Sequence, residues 1–466
     1  MMSNSTSAFL TFHGGVDTVT GSRFLLERRR SRILLDCGMF QGGRELRARN
    51  WAEPPFVPPS IDAVVLSHAH LDHSGYLPVL VRRGFTGPIY CTPGSRDLLD
   101  VLLHDSARIE EEDAAYANKK GYSRHRPALP LFETADVDRV LQQVVVRHYH
   151  ESFEAAPGVQ VQFRRAGHIL GSAILELALE NGPTLVDVGD LGRWDQPILR
   201  DPEASEGGDV VLVESTYGDR VHPTGAVEQL VTCIHSALKR NGPLLIPAFA
   251  VGRTQALIWI LNELEESGRI PRLPIYIDSP MANRVTEVTC QHRDDLDGLM
   301  RRAMDEQRCP LCSWRYHRVA TKEDSIALND LEGTFILIAG SGMLTGGRML
   351  HHLRRRLPDE RTTVLMTSFQ PQGTRGRQLL EKAEVINIHG EDVRVRAQVE
   401  VIEGLSAHGD REDILRWLSM MKKAPKRVYV IHGEAAPARS LAEAITSRLG
   451  WIAEVAHYGQ RVALEM

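Results

Sequence analysis

The first third of the chain alternates short apolar runs, many of them β-branched, with turn residues. Runs of this length and composition predict strands. The predicted strands are residues 8–13, 24–27, 32–36, 63–67, 89–92, 143–147, 159–164, 173–179, 184–189 and 210–214. Helical spacing is found at 71–83 and in the mixed-charge stretch 98–120. Many strands with few intervening helices predict a sheet sandwich flanked by helices.

After about residue 217 the pattern changes to a regular alternation of helix and strand. Helices are predicted at 227–241, 254–267 and 344–357, and strands at 243–247, 275–278, 334–339 and 363–367. Such alternation predicts an α/β unit with a mostly parallel sheet. The last stretch returns to strands and helices, at 399–402, 410–418, 427–431, 438–449 and 454–456.

The length of the chain sets the number of domains. Its 466 residues are too many for one ordinary core, so at least two domains are expected. The second domain is predicted to be inserted and not appended, because candidate site residues occur again after it in the sequence. We expect residues 1–220 and 403–466 to form one domain and residues 221–402 the inserted one.

The composition, with 42% hydrophobic and 25% charged residues, is ordinary for a soluble globular protein. Residues 1–7 lack the basic and apolar regions of a signal peptide, and no apolar run is long enough to span a bilayer. These features favour the cytosol and predict no membrane partner. The net charge of −5 gives no overall attraction to nucleic acid, so a polyanionic substrate would require a local basic face.

The chain has six cysteines, which are mostly scattered. Cys309-Pro-Leu-Cys312 has the spacing of half a zinc knuckle, and Cys290, His292 and His317 lie nearby in the sequence. No second pair follows it. Two reduced loop thiols are therefore the favoured interpretation, and whether this pair binds anything stays open.

The candidate chemistry begins with His68-Ala69-His70-Leu71-Asp72-His73, at a predicted junction of strand and helix. Alternate residues leaving a strand point to the same side, so His68 and His70 can share one ion. Asp72 and His73, which turn into the helix, can face a second ion. Imidazole and carboxylate donors without thiolate suit zinc, with manganese or iron as alternatives. A His-rich loop at a helix cap is the other interpretation, but four such donors at this spacing are rare by chance.

One cluster cannot complete two metal sites, so partners must come from elsewhere. His168, Asp190 and His432 each follow a predicted strand beside a glycine, where the backbone can pack close to an ion. Each alone is more often a turn residue than a ligand. Their common position at strand ends favours a shared site.

These motifs resemble the metallo-β-lactamase superfamily. More narrowly, they resemble its β-CASP branch, bacterial and archaeal ribonucleases similar to the endonuclease subunit of the eukaryotic cleavage and polyadenylation machinery. The resemblance covers nearly the whole chain and implies an αββα sandwich with an inserted β-CASP domain. The matching positions are Asp36 for the first motif, His68, His70, Asp72 and His73 for the second, His168 for the third, Asp190 for the fourth, Glu214 for motif A, His408 for motif B and His432 for motif C.

The resemblance implies two zinc ions per chain. It assigns His68, His70 and His168 to one ion, Asp72, His73 and His432 to the other, and Asp190 to both. Two cations lower the pKa of a bridging water, so that hydroxide exists near neutrality and attacks the phosphodiester.

The resemblance also implies roles for the remaining motifs. Asp36 suits a carboxylate that orients a ligand imidazole. Asp72, Glu214 and His408 are the expected catalytic residues, with His408 as the general acid that protonates the departing 3′ oxygen. A histidine at motif C, His432, marks the RNA-processing members and favours RNA over DNA.

RNA binding is expected in the inserted domain. Backbone N–H groups and a hydroxyl at Ser341, Gly342 and Met343 could meet a phosphate, although a simple glycine turn explains the same residues about as well. Several arginines would give this domain a basic sector if they share a face. They are Arg348, Arg354, Arg355, Arg356, Arg375 and Arg377. Arg253 is a further candidate RNA contact that would structure a groove, with simple packing as the other interpretation. Arg354–Arg356 are consecutive on a predicted helix and cannot all share a face, so part of this run is expected to be solvated.

The favoured hypothesis is a zinc-dependent endoribonuclease with RNA as its substrate. A 5′-exoribonuclease of the same family is the first alternative, and a hydrolase of a thioester or of DNA is the second. A non-enzymatic RNA-binding subunit with structural zinc fits poorly, because structural sites usually use only Cys and His. The natural RNA, the native metal and the oligomer stay open, a homodimer included.

Overall fold

The computed structural model describes residues 8–121, 125–312, 316–368, 370 and 373–464. It divides into two compact units. The first comprises residues 1–196, 200–221 and 408–466, and the second comprises residues 197–199 and 222–407. The second unit thus interrupts the first in sequence. The domain limits 1–220, 221–402 and 403–466 stay a prediction beside these units.

The elements up to residue 221 belong to the first unit. Its strands there are β1 Ala8–Phe12, β2 Phe24–Arg28, β3 Ser31–Leu35, β4 Ala63–Val65, β5 Ile89–Cys91, β6 Val144–Val146, β7 Ser152–Ala156, β8 Val159–Arg165, β9 Ala173–Leu179, β10 Thr184–Asp187 and β11 Val210–Glu214. Its helices there are α1 Arg44–Ala48, α2 Leu71–Ser74, α3 Leu77–Arg82, α4 Pro93–Lys120 and α5 Thr134–Gln143.

The middle of the chain forms the second unit. Its strands are β12 Leu244–Pro247, β13 Ile275–Asp278, β14 Tyr316–Arg318, β15 Ile336–Ala339, β16 Thr363–Met366, β17 Val385–Ile388, β18 Glu391–Arg394 and β19 Gln398–Val401. Its helices are α6 Ala226–Lys239, α7 Arg253–Glu266, α8 Pro280–Gln291, α9 Gly298–Asp305, α10 Lys322–Ala327, α11 Arg348–Arg356 and α12 Arg375–Leu380.

The first unit is completed by helices α13 Arg411–Ser419 and α14 Ala435–Leu449 and by strands β20 Arg427–Ile431, β21 Ala453–Val455 and β22 Arg461–Leu464. Short 3₁₀ helices also occur in the two units, at Pro58–Ser60, Arg293–Asp295, Pro310–Cys312, Leu328–Asp330 and Glu403–Leu405.

Two mixed sheets form the centre of the first unit. Their strand orders are β22-β1-β2-β3-β4-β5-β6 and β21-β20-β11-β10-β9-β8-β7. Their inner faces share one apolar core, in which the rings of Phe12 and Tyr429 lie 5.5 Å apart. The other face of the second sheet packs against α13 and α14, through residues such as Val211, Leu418 and Leu441. Helices α3, α4 and α5 pack against one another beside the first sheet. The expected sandwich flanked by helices is confirmed.

The second unit has a six-stranded sheet of order β14-β13-β15-β12-β16-β19, in which every pair is parallel. Strands buried on both faces read as continuous apolar runs, as Ile336–Ala339 does. Apolar clusters cover both faces of this sheet. The expected α/β unit with a mostly parallel sheet is confirmed. Within the described part of the chain, no helix has the length and apolar composition that a membrane span needs.

Three predicted helices were wrong in extent. The predicted helix 98–120 begins earlier, at Pro93. The predicted helix 71–83 is two helices, α2 and α3, because the Tyr76 N–H donates to the carbonyl of Cys37, and Asp72 O accepts from Ser22 N. The predicted helix 344–357 begins only at Arg348, after Gly347 with a φ of +78°. The elements that were not predicted are helices α1, α5, α8, α9, α10 and α12 and strands β7, β14, β17, β18 and β22.

Candidate metal centre

The His-rich cluster lies where β4 ends and α2 begins. His68 is fully buried, and the left-handed Gly189, whose φ is +58°, packs against Ser67. A Cβ at Gly189 would lie 2.6 Å from the Cβ of Ser67, so only glycine lets the two segments approach this closely. This approach places Asp190 beside His68.

Four side chains form the first donor group: His68, His70, His168 and Asp190. Nε2 of His68 lies 3.1 Å from Nδ1 of His70, which lies 3.3 Å from Nε2 of His168. Oδ2 of Asp190 lies 3.5 Å from Nε2 of both His68 and His168. All four donor atoms therefore face one point.

A second donor group of Asp72, His73 and His432 lies beside the first. Nε2 of His432 lies 3.2 Å from Nε2 of His73 and 3.4 Å from Oδ2 of Asp72. Oδ1 of Asp190 lies 3.3 Å from Nε2 of His73, while Oδ2 faces the first group. Asp190 thus offers one oxygen to each group.

The donor spacing fits zinc. Four ligands at tetrahedral corners, about 2.0–2.1 Å from a zinc ion, are about 3.3–3.4 Å apart. The distances within both groups are 3.1–3.5 Å, apart from 4.0 Å between Nε2 of His73 and Oδ2 of Asp72. Imidazole nitrogens that face one another at this range need a cation or a proton between their lone pairs. A donor set of histidine and aspartate without thiolate suits zinc, and also manganese or iron.

Carboxylates and imidazoles set the electrostatics of this centre. Burial acts to raise the pKa of Asp190, but the surrounding imidazoles, His432 and His73 foremost, hold it well below its usual value. Burial and the charge of His73 lower the pKa of His68 well below its usual value. Ionised carboxylate and neutral imidazole are the forms that bind a metal.

His73 has the opposite shift. Burial acts to lower its pKa, but the carboxylates of Asp190 and Asp36 raise it well above its usual value. The field that attracts a proton to this ring also attracts a metal cation.

Asp36 and Ser67 orient two of these imidazoles. Nδ1 of His73 donates to Oδ2 of Asp36 at 2.7 Å, and the Ser67 hydroxyl donates to the same oxygen at 2.7 Å. Nδ1 of His68 lies 3.0 Å from that hydroxyl. With Nδ1 engaged, Nε2 of each ring is directed at the donor groups. The orienting role of Asp36 stays a prediction, and sequence reasoning missed Ser67.

Glu214 and His408 form a pair next to Asp190. Nδ1 of His408 lies 3.1 Å from both carboxylate oxygens of Glu214 and 3.7 Å from Oδ2 of Asp190. Burial acts to lower the pKa of His408, but the carboxylates of Glu214 and Asp190 outweigh it and raise the pKa to about 9. A histidine held this way keeps its proton at neutral pH and can donate it from Nε2.

Thr216 joins this pair to the second donor group, and sequence reasoning missed it. Its hydroxyl donates to Oε2 of Glu214 at 2.6 Å and lies 3.2 Å from Nδ1 of His432. Strands β11 and β20 run parallel, with Glu214 opposite Ile431. This pairing brings Thr216 and Glu214, at the end of β11, next to His432, which follows β20. The only signal in the sequence is that Thr216 follows motif A by two residues.

The residues expected to bind RNA lie in the second unit, apart in sequence from this centre. The Ser341 hydroxyl accepts from the backbone N–H groups of Thr345 and Gly346, so it stabilises its own loop. The carbonyl of Gly342 accepts from the amide of Gln370. Met343 is partly exposed. Because α11 begins only at Arg348, the expectation that a helix directly follows these residues was wrong.

Most arginines of the expected basic sector have partners within the second unit. Arg253 is buried. Arg375 donates to the carbonyls of Asn387 and Leu344, and Arg377 forms an ion pair with Glu381 at 2.7 Å. The remaining contacts are Arg348 with Asp278, Arg354 with Glu391, and Arg356 with the carbonyls of Leu328, Asn329 and Leu331.

Comparison with protein-family models gives three matches along the chain. A beta-lactamase superfamily domain matches residues 31–240, a Beta-Casp domain matches residues 254–379, and a Zn-dependent metallo-hydrolase RNA specificity domain matches residues 392–456. The first and third matches contain every residue of the candidate metal centre.

Similar proteins are found among curated sequences and solved structures. The chain is 36% identical to Ribonuclease TTHA0252 of Thermus thermophilus over 96% of this chain and 98% of that protein. It is 32% identical to the transcription termination factor FttA of Pyrococcus abyssi over 95% of this chain and 69% of that protein. A crystal structure of a protein of unknown function from Enterococcus faecalis matches with a TM-score of 0.55 at 14% identity, covering 98% of this chain and all of that one, which shows a shared fold.

Proposed function

Because the chain belongs to the β-CASP family of the metallo-β-lactamase superfamily, we propose that it is a zinc-dependent ribonuclease that cuts RNA internally. Two donor groups that share Asp190 support a dinuclear site. A His–Glu pair adjoins them. The expected cytosolic location and the homodimer stay predictions.

The single observation that carries this proposal is the contact of His408 with Glu214 beside Asp190. A dinuclear centre alone serves many hydrolytic substrates. A positively charged imidazole next to it can protonate a leaving group that needs a proton, such as the 3′ oxygen of a cleaved phosphodiester. Thioester hydrolysis releases a thiolate, which needs no such acid.

The residues of the centre have different proposed roles. His68, His70 and His168 would hold one metal ion, Asp72, His73 and His432 the other, and Asp190 would contact both. Two bound zinc ions lower the pKa of water and offset charge on phosphoryl oxygens. Asp36 and Ser67 hold Nδ1 of His73 and of His68, so that Nε2 of each ring would be available to a metal ion.

Proton transfer falls to the pair beside them. Glu214 holds His408 through Nδ1, and we assign to Nε2 the delivery of a proton to the departing 3′ oxygen. The products would then carry a 3′ hydroxyl and a 5′ phosphate.

RNA is the proposed substrate for two reasons. The match of an RNA specificity domain to residues 392–456 includes His408 and His432. One relative that is named a ribonuclease aligns with this chain over nearly its whole length. The proposed RNA contacts remain Ser341, Gly342 and Met343, with Arg253, Arg375 and Arg377.

The decisive experiment offers purified protein a covalently closed circular single-stranded RNA, together with linear RNA labelled at the 5′ or the 3′ end. An endonuclease opens the circle, whereas a 5′-exonuclease leaves it intact and releases mononucleotides from the linear form. His408→Ala and Asp190→Asn should abolish opening. His148→Ala, which changes an exposed histidine of the same unit, should retain it.

Two outcomes would contradict the proposal. One is full cleavage by protein stripped of metal, since every step assigned here needs the dinuclear centre. The other is rapid turnover of a thioester with none of RNA, which would assign this centre to another substrate class. Release of mononucleotides without opening of the circle would replace the endonuclease with the exonuclease.

A further inference from the structure

A short loop of the first unit carries three arginines that have no part in the metal centre. Residues 41–49, which we call the arginine loop, include helix α1 and contain Arg44, Arg47 and Arg49, with Glu45 as the one acidic residue. All three arginine side chains are exposed. The chain as a whole has no positive charge that would attract a polyanion, so a local basic surface of this kind is notable.

The charges of this loop are largely available to a ligand. Within the described part of the chain, Arg44 has neither an ion pair nor a side-chain hydrogen bond. Burial raises the pKa of Glu110 on α4, and the nearby charge of Arg47 offsets part of this effect, but no hydrogen bond joins the two described side chains. Because Arg44 and Arg47 are three residues apart on α1, their side chains lie on one face of the helix.

The arginine loop is closed at its base by Asn50. The buried side-chain amide of Asn50 donates to the carbonyl of Phe40 at 2.8 Å, and its oxygen accepts from the Phe40 N–H at 2.9 Å. The guanidinium carbon of Arg49 lies 5.3 Å from the ring centroid of Phe40 and 4.6 Å from that of Tyr458. These contacts hold both ends of the loop, so less conformational freedom would be lost when a ligand binds its arginines.

The base of the arginine loop adjoins the metal centre. The Met39 N–H donates to the carbonyl of Leu71 at 2.8 Å, and Leu71 stands between His70 and Asp72 in the sequence. Because each residue extends the chain by at most about 3.6 Å, the Cα atom of Arg44 lies within about 18 Å of that of Met39. RNA bound at the metal centre would therefore have phosphates of nearby nucleotides within reach of the loop.

Exposed guanidinium groups beside an aromatic ring suit single-stranded RNA. Arginine forms bidentate hydrogen bonds with phosphate oxygens. The side chain of Tyr458 is 44% exposed and offers an aromatic surface on which a base can stack. An acidic peptide could meet the same charges, but the position of the loop beside a hydrolytic centre favours RNA.

We propose that the arginine loop binds phosphates of single-stranded RNA next to the metal centre, with Arg44 and Arg47 as the main contacts. This inference rests on the proposed ribonuclease function. It adds an RNA-binding surface in the first unit, whereas the RNA contacts proposed above belong to the second unit.

The test measures the affinity of a labelled single-stranded RNA for the full chain carrying His408→Ala, which should not cleave it, at several salt concentrations. Each phosphate contact to a single strand contributes about 0.7 to the slope of log affinity against log salt concentration. Arg44→Ala/Arg47→Ala should therefore reduce that slope by about 1.4 and weaken binding at low salt. Arg44→Lys/Arg47→Lys keeps both charges and should keep the slope.

Arg29→Ala/Arg30→Ala is the matched control. It removes the same charge from two exposed arginines in the turn between β2 and β3, at the end of these strands opposite to Asp36. Slope and affinity should stay as in the parent protein. Equal losses in the control and in Arg44→Ala/Arg47→Ala would show an effect of net charge alone and overturn the proposal.

Three further outcomes decide the proposal. An unchanged slope and affinity in Arg44→Ala/Arg47→Ala would overturn it, and the ribonuclease would stand if the wild type still opens circular RNA. A wild type that neither binds nor cuts RNA would overturn both proposals. Polyglutamate that binds the wild type more tightly than RNA does, and is lost in the alanine variant, would assign the loop to an acidic protein partner instead.

Discussion

Nδ1 of His408 lies 3.1 Å from both carboxylate oxygens of Glu214 and 3.7 Å from Oδ2 of Asp190. If this imidazole protonates the leaving oxygen, His408→Ala should lower kcat by about 10²–10⁴-fold. The loss should largely disappear on RNA with a bridging 3′ sulfur, because a thiolate leaves without protonation. Single-turnover rates on the two RNAs, with His148→Ala as the control, measure this. An equal loss on both would assign His408 another role.

Thr216 connects Glu214 to His432 through one hydroxyl. Thr216→Val preserves the shape of the side chain and removes that hydroxyl, while Thr216→Ser keeps it. We expect Val to weaken zinc at the second donor group by about 10–100-fold, the usual effect of losing a partner that orients a ligand. The serine variant should bind zinc nearly as the wild type does. Zinc titration of both variants is the measurement, and equal affinities would assign Thr216 no part in metal binding.

Asp36 accepts from Nδ1 of His73 and from Ser67. Asp36→Asn should therefore weaken metal binding by about 10–100-fold, because the ring loses its charged partner. Asp62→Asn serves as the matched control, since Asp62 is exposed and accepts only from the Arg32 backbone N–H among the contacts seen. Competition with a chelator of known affinity measures the difference. Similar zinc affinities for the two variants would contradict the orienting role.

Asp278 of the second unit is fully buried and accepts from Arg348, His352 and Ser325. Burial acts to raise its pKa, but these partners outweigh it and hold the pKa below its usual value. The carboxylate therefore stabilises the fold above the pKa of the unfolded chain, and this contribution is lost as pH falls through the depressed pKa.

At pH 7, Asp278→Asn should destabilise the second unit by about 3–5 kcal/mol, since it leaves buried charge uncompensated. The difference in Tm from the wild type should narrow as the pH falls toward 3. Asp392→Asn, at an exposed position, should have little effect at either pH. A Tm difference that stays constant with pH would exclude ionised Asp278 as the cause.

Gly38 packs against the backbone of the ligand-bearing helix. A Cβ at this position would lie 1.6 Å from the carbonyl oxygen of Asp72, so Gly38→Ala must displace Asp72 and its side chain. We expect lower zinc content and a stability loss of about 1–3 kcal/mol. At Gly43 a Cβ meets no atom within 4 Å, so Gly43→Ala is the control. Zinc content and Tm of the two variants check this, and normal zinc in Gly38→Ala would show that the displaced backbone does not disturb metal binding.

Part of the site follows from local rules. His68 and His70 could be paired from sequence because side chains alternate on leaving a strand, and the structure brings them together. The contact between His73 and His432 spans most of the chain, and no spacing rule reaches across an inserted unit. Its prediction depended on family resemblance. The hydroxyls of Ser67 and Thr216 carry no pattern of their own, since their role arises only from the neighbours that folding supplies.

The errors in secondary structure have the same origin. Residues 71–83 have helical spacing, but the tertiary hydrogen bond from Tyr76 N–H to Cys37 O replaces a helical one and divides the helix. Pro78, which lacks an N–H, favours a new start there. Local propensity predicted the elements well where their hydrogen bonds are internal. The prediction failed where a different segment of the chain supplies the hydrogen-bond partner.

The parallel pairing of β11 with β20 also determines when the site can exist. Glu214 is synthesised long before His408 and His432. Strand β11 therefore cannot pair with β20 until the whole second unit has been synthesised. At about 5–20 residues per second, this delay is on the order of 10–40 s. During that time the growing chain lacks both His408, the proposed general acid, and His432, a proposed metal ligand. A nuclease made beside its own messenger is therefore expected to stay inactive until His432 has been synthesised.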